Sequence, residues 1–136
     1  MRFRPLAFAF LLFGCGNDSP ERIGDRFVDY YLVEVDQARA RPLACGLAEK
    51  KLDDELRLVE NVRREPARDE QRPTIFYTRR DLRREGDRAH ATYDVTVKFG
   101  GDETRKNAML SLERLNGKWC VANFTLEDGH LPQRPR

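Results

Sequence analysis

Few residues in this chain have the type and spacing that catalysis or metal binding requires. His90 and His130 are the two histidines, and neither has a second histidine, a cysteine or an acid at metal-ligand spacing. The sequence contains no glycine-rich phosphate loop, no nucleophile elbow and no acid–base motif. We therefore expect no metal and no cofactor, and the sequence names no catalytic residue.

The chain has three cysteines, and the first of them, Cys15, lies at the end of an apolar segment. Arg2 and Arg4 precede an unbroken apolar run over residues 5–13, which is followed by Gly14 and Cys15. Positive charge, an apolar run and a small residue in this order are typical of a secretory signal. The run is less than half of the roughly 20 residues that a membrane-spanning helix needs, so we expect no permanent transmembrane helix here.

The end of this segment resembles the lipobox of bacterial lipoprotein signals, in which an aliphatic, a variable and a small residue precede the cysteine that receives diacylglycerol. Leu12, Phe13, Gly14 and Cys15 follow that order, although Phe13 is bulkier than the residue usual there. The resemblance implies a signal peptide over residues 1–14 and lipid attachment at Cys15. An ordinary signal peptide with an incidental cysteine, or a misassigned start codon, is the alternative.

Lipid attachment at Cys15 would place the protein in the bacterial cell envelope, anchored to the membrane at its periplasmic face. Residues 15–19 would then form a short polar tether between membrane and domain. In enteric bacteria, an aspartate directly after the lipidated cysteine signals retention in the inner membrane, and here that position is Gly16. The resemblance therefore favours the outer membrane.

Cys45 and Cys120 are the two cysteines left once Cys15 is acylated. An exported protein meets an oxidising compartment in which paired cysteines usually bridge, so we expect a Cys45–Cys120 disulfide. This bridge would join the second predicted helix to the last predicted strand. Two buried free thiols are the alternative, because cysteine is also a frequent core residue.

Two helices are predicted after the tether. The run Ser19-Pro20-Glu21 has the chemistry of a helix start, and the apolar spacing after it predicts a helix from residue 20 to about residue 38. Pro42 marks the start of a second helix over residues 42–60. This second helix carries an apolar stripe that must face an apolar partner, formed by Leu43, Leu47, Leu52, Leu56 and Val59.

An antiparallel sheet is predicted to follow the helices. Residues 60–73 are almost wholly charged and contain two prolines, so they predict a solvated loop. From Thr74 the apolar period changes to two, most clearly over residues 88–99, which is typical of a strand with one buried face. Short glycine-containing turns make neighbouring strands antiparallel, so the sheet is a meander. The predicted strands cover residues 74–84, 87–99, 103–115 and 117–126.

This element order predicts an α+β fold in which two N-terminal helices pack on a curved four-stranded antiparallel meander. In this the chain resembles the NTF2-like (cystatin-like) superfamily, and in particular its small bacterial lipoproteins of unknown function, some labelled lumazine-binding-like. The resemblance covers residues 20–127 and rests on Phe27, Tyr31 and the hairpin Asn116-Gly117-Lys118-Trp119 beside the element order. It implies a cone of sheet and helices that encloses a pocket in many members. Residues 128–136 are expected to be a disordered tail.

Isomerase-type members of this superfamily use a tyrosine and a carboxylate inside the cone. The comparable residues here are Tyr30, Tyr31, Tyr93, Asp29 and Asp94, and the three tyrosines are the candidates for lining a pocket. Tyr93 and Asp94 are neighbours on one predicted strand and so point to opposite faces. Core packing with a hydroxyl at the edge is the alternative role for the tyrosines.

The charge of the chain gives no reason to expect nucleic acid as a partner. Its formal net charge is +2, and two of the positive residues lie in the predicted signal segment, so the mature domain is near neutral. Four arginines between residues 79 and 84 could receive an anionic partner or a lipid headgroup, although charge on an edge strand also discourages aggregation. Homodimerisation through the open sheet face is common in the superfamily, and Trp119 or Val121 would mark such a face here.

Two functions remain in view. The first is a lipid-anchored, non-enzymatic envelope protein whose NTF2-like domain binds a protein partner or a small ligand. It is favoured because the sequence contains a lipobox-like segment for the anchor but no catalytic motif. The second is a small enzyme of the isomerase or dehydratase type that acts on an apolar substrate in the cone, and it requires a deep pocket with a buried carboxylate.

Overall fold

The structure, a computed structural model, describes residues 18–62 and 72–129. Cys15 and the predicted signal segment lie outside the described residues, as do His130, the tail that follows it and most of the predicted charged loop. Within the described ranges, none of the helices is long and apolar enough to cross a membrane.

In the part of the chain that the structure describes, three α-helices precede the sheet: α1 (Pro20–Val28), α2 (Gln37–Ala40) and α3 (Gly46–Val62). The predicted start of α1 is confirmed, because the Ser19 side chain accepts a hydrogen bond from the backbone N–H of Arg22 at 3.3 Å and Pro20 takes the first helical position. α1 buries Ile23, Phe27 and Val28 against the sheet.

The first helix is shorter than predicted. α1 passes into a π-helical turn, Asp29–Val33, after which Val35 has a φ of 52°. A β-branched residue rarely adopts this left-handed conformation, and it ends the helix. Asp36 then starts α2 by accepting a hydrogen bond from the backbone N–H of Arg39 at 3.0 Å. The prediction of one continuous helix to residue 38 was therefore wrong in its second half.

The second predicted helix is present as α3, but its predicted start at Pro42 was wrong. The helix begins at Gly46, and Pro42 lies in a preceding 3-10 turn, Arg41–Leu43. Ala48 and Leu52 are fully buried on its inner side, but Leu47 is half exposed. Leu47 and Leu52 are five positions apart, and at 100° per residue this turns Leu47 about 140° away from the side of the helix on which Leu52 is buried. Including Leu47 in the apolar stripe was wrong for this reason.

The sheet has four strands in the order β1-β2-β3-β4, and every neighbouring pair is antiparallel. The predicted α+β class, with helices on a curved four-stranded meander, is confirmed. Phe99, which the alternation placed on the buried face, is the last residue of β2 and is half exposed. The strands are β1 (Thr74–Glu85), β2 (Arg88–Phe99), β3 (Asp102–Leu115) and β4 (Lys118–Asp128).

A β-bulge in each edge strand shifts which residues face the helices. In β1 the register steps from Arg79 to Asp81, so Arg80 is the extra residue. In β4 the partners of Ser111 and Leu112 are Asn123 and Val121, so Ala122 is the extra residue. Trp119 and Val121 before this bulge and Phe124 after it therefore share the inner face, although their spacing in the sequence places them on opposite faces.

The Cys45–Cys120 disulfide is present, with the two Cα atoms 5.8 Å apart. Cys45 lies just before α3, and its backbone N–H donates to the carbonyl oxygen of Val121 at 2.8 Å. Ala44 and Val121 form an isolated bridge at the same place. The disulfide thus attaches the start of α3 to the outer edge of β4.

Loss of this disulfide is expected to destabilise the fold strongly. The bridge closes a loop between residues 75 positions apart, for which the chain-entropy model gives about 4 kcal/mol. Chemical denaturation of the chain with and without reductant measures this difference. The double variant Cys45→Ser/Cys120→Ser should show the same loss and no further response to reductant. An equal free energy of unfolding in both redox states would contradict the assignment.

Candidate functional site

Three polar side chains meet between α1 and the sheet, and we call Asp25, Arg79 and Tyr93 the Asp25 cluster. The hydroxyl of Tyr93 donates to Asp25 Oδ1 at 2.8 Å. The Arg79 guanidinium donates from Nη1 to both Asp25 oxygens at 2.9 Å. Nearby, the Tyr77 hydroxyl donates to the backbone carbonyl of Asp25 at 3.3 Å. The carboxylate of Asp25 is thus held by an ion pair and a phenol.

Strand alternation brings Arg79 to this place. Ile75, Tyr77 and Arg79 are every second residue of β1, and they pair with Val97, Val95 and Tyr93 of the buried side of β2. The bulge at Arg80 ends this alternation, so Arg80 instead pairs with Asp94 on the outward face. The side chain of Arg79 is only 33% exposed there, and α1 provides Asp25 as the acidic partner of this partly buried cation.

Gly24 allows α1 to lie close enough to form the cluster. A Cβ atom at this position would stand 2.6 Å from the Tyr93 hydroxyl oxygen and 3.8 Å from a methyl carbon of Leu110. The first distance is far inside van der Waals contact, so any other residue would push the helix off the sheet or displace Tyr93. A glycine is therefore required at position 24 for α1 to lie this close to Tyr93.

The tyrosines of this region are held in their neutral form. Burial, and then the hydrogen bond and charge of Asp25, raise the pKa of Tyr93 well above its ordinary value. Burial and the charges of Asp29 and Asp25 likewise raise the pKa of Tyr77. Burial acts against the charge of Arg79, but Asp25 outweighs it and the pKa of Arg79 is raised. The cluster is thus an ion pair capped by a phenol, and neither tyrosine can act as a base near neutral pH.

Among residues 18–62 and 72–129, the space found between α1 and the sheet is small. A cavity of about 10 Å³ lies between α1 and the strands β3 and β4, lined by apolar groups that include Phe27, Leu110 and Phe124. This volume corresponds to a single water molecule. Tyr31 also lines it, stacked on Phe27 with ring centroids 5.6 Å apart. Its hydroxyl donates to Glu55 at 2.7 Å, and burial followed by this bond raises its pKa.

The structure separates the tyrosines and acids that the sequence singled out. Tyr93 is 0% exposed in the core, while Asp94 is exposed on the outward face, as the alternation predicted. Tyr30 is half-buried and lies under the guanidinium of Arg39, 4.3 Å from its ring centre, and it does not line the cavity. Asp29 is half-buried in the π-helical turn. These residues form no common site.

Sequence reasoning missed Asp25 and Arg79. The signal that could have found Arg79 is its place in the alternation Ile75, Tyr77, Arg79, which puts one of the four arginines on the apolar face of β1. Asp25 has a weaker signal, because it lies between the buried positions Ile23 and Phe27 on a helix with one strongly apolar side. Only the packed fold brings the two together.

Comparisons with known proteins identify no relative by sequence, since no family model and no curated protein matches the chain. One solved structure that resembles it is a five-fold substituted variant of Rd1NTF2_05, with 17% identity over 78% of this chain and 98% of that one and a TM-score of 0.48. Another is an NTF-2 like protein of unknown function from Silicibacter pomeroyi DSS-3, with 13% identity over 79% of this chain and 92% of that one and a TM-score of 0.44. Neither likeness assigns an activity or a site residue to this chain.

The contact between Gly24 and Tyr93 predicts a coupled mutational effect. Gly24→Ala is expected to destabilise the fold by about 1–3 kcal/mol, the usual cost of overpacking, as measured by denaturant unfolding. In a Tyr93→Phe background the hydroxyl that meets the new Cβ is gone, so the same substitution should cost less than half as much. Equal costs in both backgrounds would show that the contact is not the reason for the glycine.

The raised pKa of Tyr93 predicts a loss of stability in alkali. The folded chain holds the Tyr93 proton more tightly than the unfolded chain, whose tyrosine titrates near 10.0. The stabilisation is therefore complete below that pH and falls as the pH rises above it toward the folded pKa. Unfolding free energies measured across this range should fall more steeply for the native chain than for Tyr93→Phe. Parallel pH profiles would contradict the account.

Proposed function

We propose that the chain is a lipid-anchored, non-enzymatic protein of the bacterial cell envelope whose α+β, NTF2-like domain binds a protein partner. The observation that carries the proposal is the filled interior of the cone, where Tyr93 is fully buried and the cavity measures about 10 Å³. Pockets for small organic ligands usually measure roughly 300–1,000 Å³. An interior without such space favours binding on the surface.

The anchor in this proposal rests on the sequence Leu12-Phe13-Gly14-Cys15, which lies outside the described residues. The capped start of α1 at Ser19 supports it, because the folded domain begins only a few residues after Cys15. A thioether-linked diacylglycerol carries two acyl chains, and two chains give stable attachment at about 0.8 kcal/mol for each buried methylene.

The outward face of the sheet is the surface we propose for the protein partner. In the described residues, the helices pack on the opposite face, and this one combines two exposed apolar side chains with threonines. Phe76 is 54% exposed and pairs across the strands with Thr96, and Met109 is 39% exposed and pairs with Thr92. Exposed aromatic and methionine side chains among short polar ones are typical of protein interfaces.

An enzyme of the isomerase or dehydratase type is the weaker candidate. Such an enzyme needs a carboxylate that reaches a substrate inside the cone. Asp25 is the carboxylate bound to the buried tyrosine, but Arg79 and Tyr93 occupy its oxygens. Arg79 and Asp25 are also partly open to solvent, at the side of the cone rather than inside it.

The anchor is tested by the intact mass of the protein made in a host that processes lipoproteins. We expect a chain that begins at Cys15 and carries acyl groups, with two further cysteines that react with alkylating reagent only after reduction. A Cys15→Ser variant should carry no lipid. A full-length or unacylated mass from the native sequence would contradict the proposed anchor.

The partner is tested by photo-crosslinking in the same cells. A photoreactive residue at Met109 should give a crosslinked adduct, and one at Lys50, exposed on α3, should not. The adduct at Met109 should disappear when Phe76 is changed to Asp in the same chain. Equal labelling at Met109 and Lys50, or none at Met109, would contradict the assignment of this face.

A further inference from the structure

The direction of α1 is shown by two residues on the inner side of β1. Tyr77 donates to the backbone carbonyl of Asp25, while Arg79 contacts both the Asp25 carboxylate and the backbone carbonyl of Glu21, the latter at 3.4 Å. From Tyr77 to Arg79, toward the end of β1, the contacts therefore move from Asp25 to Glu21, toward the start of α1. The two elements run antiparallel, and the N-terminus of α1 points to the end of the sheet where β1 finishes.

The start of α1 comes close to that end. Five helical steps, the distance from Asp25 back to Pro20, cover roughly 8 Å. Two residues of a strand cover about the same length. Counted from Arg79 along β1, this brings the start of α1 level with about Asp81, three residues before Arg84.

Two hairpins form this end of the sheet. β1 and β2 are joined through Gly86 and Asp87, and β3 and β4 through Asn116 and Gly117, whereas the β2–β3 hairpin lies at the opposite end. We call the first of these the hairpin end and define it by Arg84, Arg88, Arg114, Leu115, Lys118 and Trp119.

The side chains of the hairpin end are suited to a lipid surface. Trp119 is 7% exposed, and the guanidinium carbons of Arg84 and Arg114 lie 5.0 and 5.6 Å from its ring centre. Leu115 is half exposed beside them. The buried indole holds the two guanidinium groups in place, and guanidinium groups beside an exposed aliphatic side chain are suited to the membrane–water interface.

The hairpin end also contains three acidic residues, Glu85, Asp87 and Glu113, and two of them, Glu85 and Glu113, are the cross-strand neighbours of Arg88. Several cations at this end nevertheless form no ion pair. Arg114 is paired with Asp87 at 2.5 Å. In the described parts of the chain, by contrast, no carboxylate lies within ion-pair distance of Arg84, Arg88 or Lys118. Such groups remain available to the phosphates of anionic lipid headgroups.

We propose that the hairpin end rests on anionic lipid headgroups and so fixes the orientation of the anchored domain. This proposal rests on the lipid anchor at Cys15. From Cys15 to Pro20 the chain spans at most roughly 18 Å, so an anchored chain holds the start of α1 within that distance of the membrane surface. The strands then run away from the membrane and the outward face of the sheet stands to the side, accessible to a protein partner.

Hydrogen exchange of the full acylated chain tests the proposal in vesicles. Vesicles of phosphatidylcholine alone are compared with vesicles that also contain phosphatidylglycerol. We expect exchange at residues 85–88 and 115–118 to slow in the anionic vesicles. Residues 99–102 in the β2–β3 hairpin are the internal control, and their exchange should be the same in both.

Matched charge reversals distinguish binding of lipid headgroups at the hairpin end from a general attraction of the positively charged chain to anionic vesicles. Arg88→Glu/Lys118→Glu changes the hairpin end, and Lys98→Glu/Arg105→Glu makes the same change of charge at the opposite end. Each cation lost from the membrane surface should lower the ratio of docked to free orientations about fivefold. The first double variant should therefore lose the slowing, and the second should keep it.

The outcomes distinguish this proposal from the proposed function. An acylated chain that shows no slowing at the hairpin end, or equal slowing at residues 99–102, would overturn the orientation and leave the anchor intact. Loss of the slowing in both double variants would overturn it as well. A chain without acyl groups, detected by its mass, would instead remove the anchor on which the orientation depends.

Discussion

The close approach of α1 to the sheet at Gly24 is the constraint on which the rest of the structure depends. Because Gly24 has no side chain, the Tyr93 hydroxyl reaches Asp25, and Phe27 and Val28 settle against the strands. The same approach lets Arg79 pair with Asp25 from the neighbouring strand. Tyr93 is thereby a packed, neutral hydrogen-bond donor in the core.

The two edge strands are adjusted to this core by their bulges. Arg80 in β1 and Ala122 in β4 are the extra residues, and each changes the face on which the following side chains lie. On the β4 side, the edge is also covered, because the Lys51 ammonium donates to the carbonyl of Phe124 at 2.8 Å and the disulfide attaches the start of α3 nearby. The edge of β1 is instead lined with arginines, which discourages pairing with another strand.

The sequence predicted the helices and strands better than it predicted the Asp25 cluster, and the reasons are physical. Strict alternation over residues 88–99 and glycine turns determine a meander locally, and Ser19 with Pro20 determines a helix start. Val35 in a left-handed conformation and the bulge at Ala122 depend on tertiary packing and leave no local pattern. The Asp25 cluster joins residues more than 50 positions apart, so it follows from the approach of α1 and not from spacing. The pairing of Cys45 with Cys120 was accessible because only two cysteines remain once Cys15 is set aside.

Because the described core is well packed, we expect binding on the outside of the domain. The outward sheet face presents exposed apolar side chains among threonines, and the hairpin end presents cations. The central proposal is that the core formed by the described residues has no room for a small organic ligand. It is tested most directly by titrating the isotopically labelled chain with benzene while observing the methyl resonances of Leu110 and Leu112. The account predicts no saturable shifts in the native chain and new binding in Tyr93→Ala, where the ring is removed. Saturable shifts of these methyl groups in the native chain would show an internal site and contradict the account.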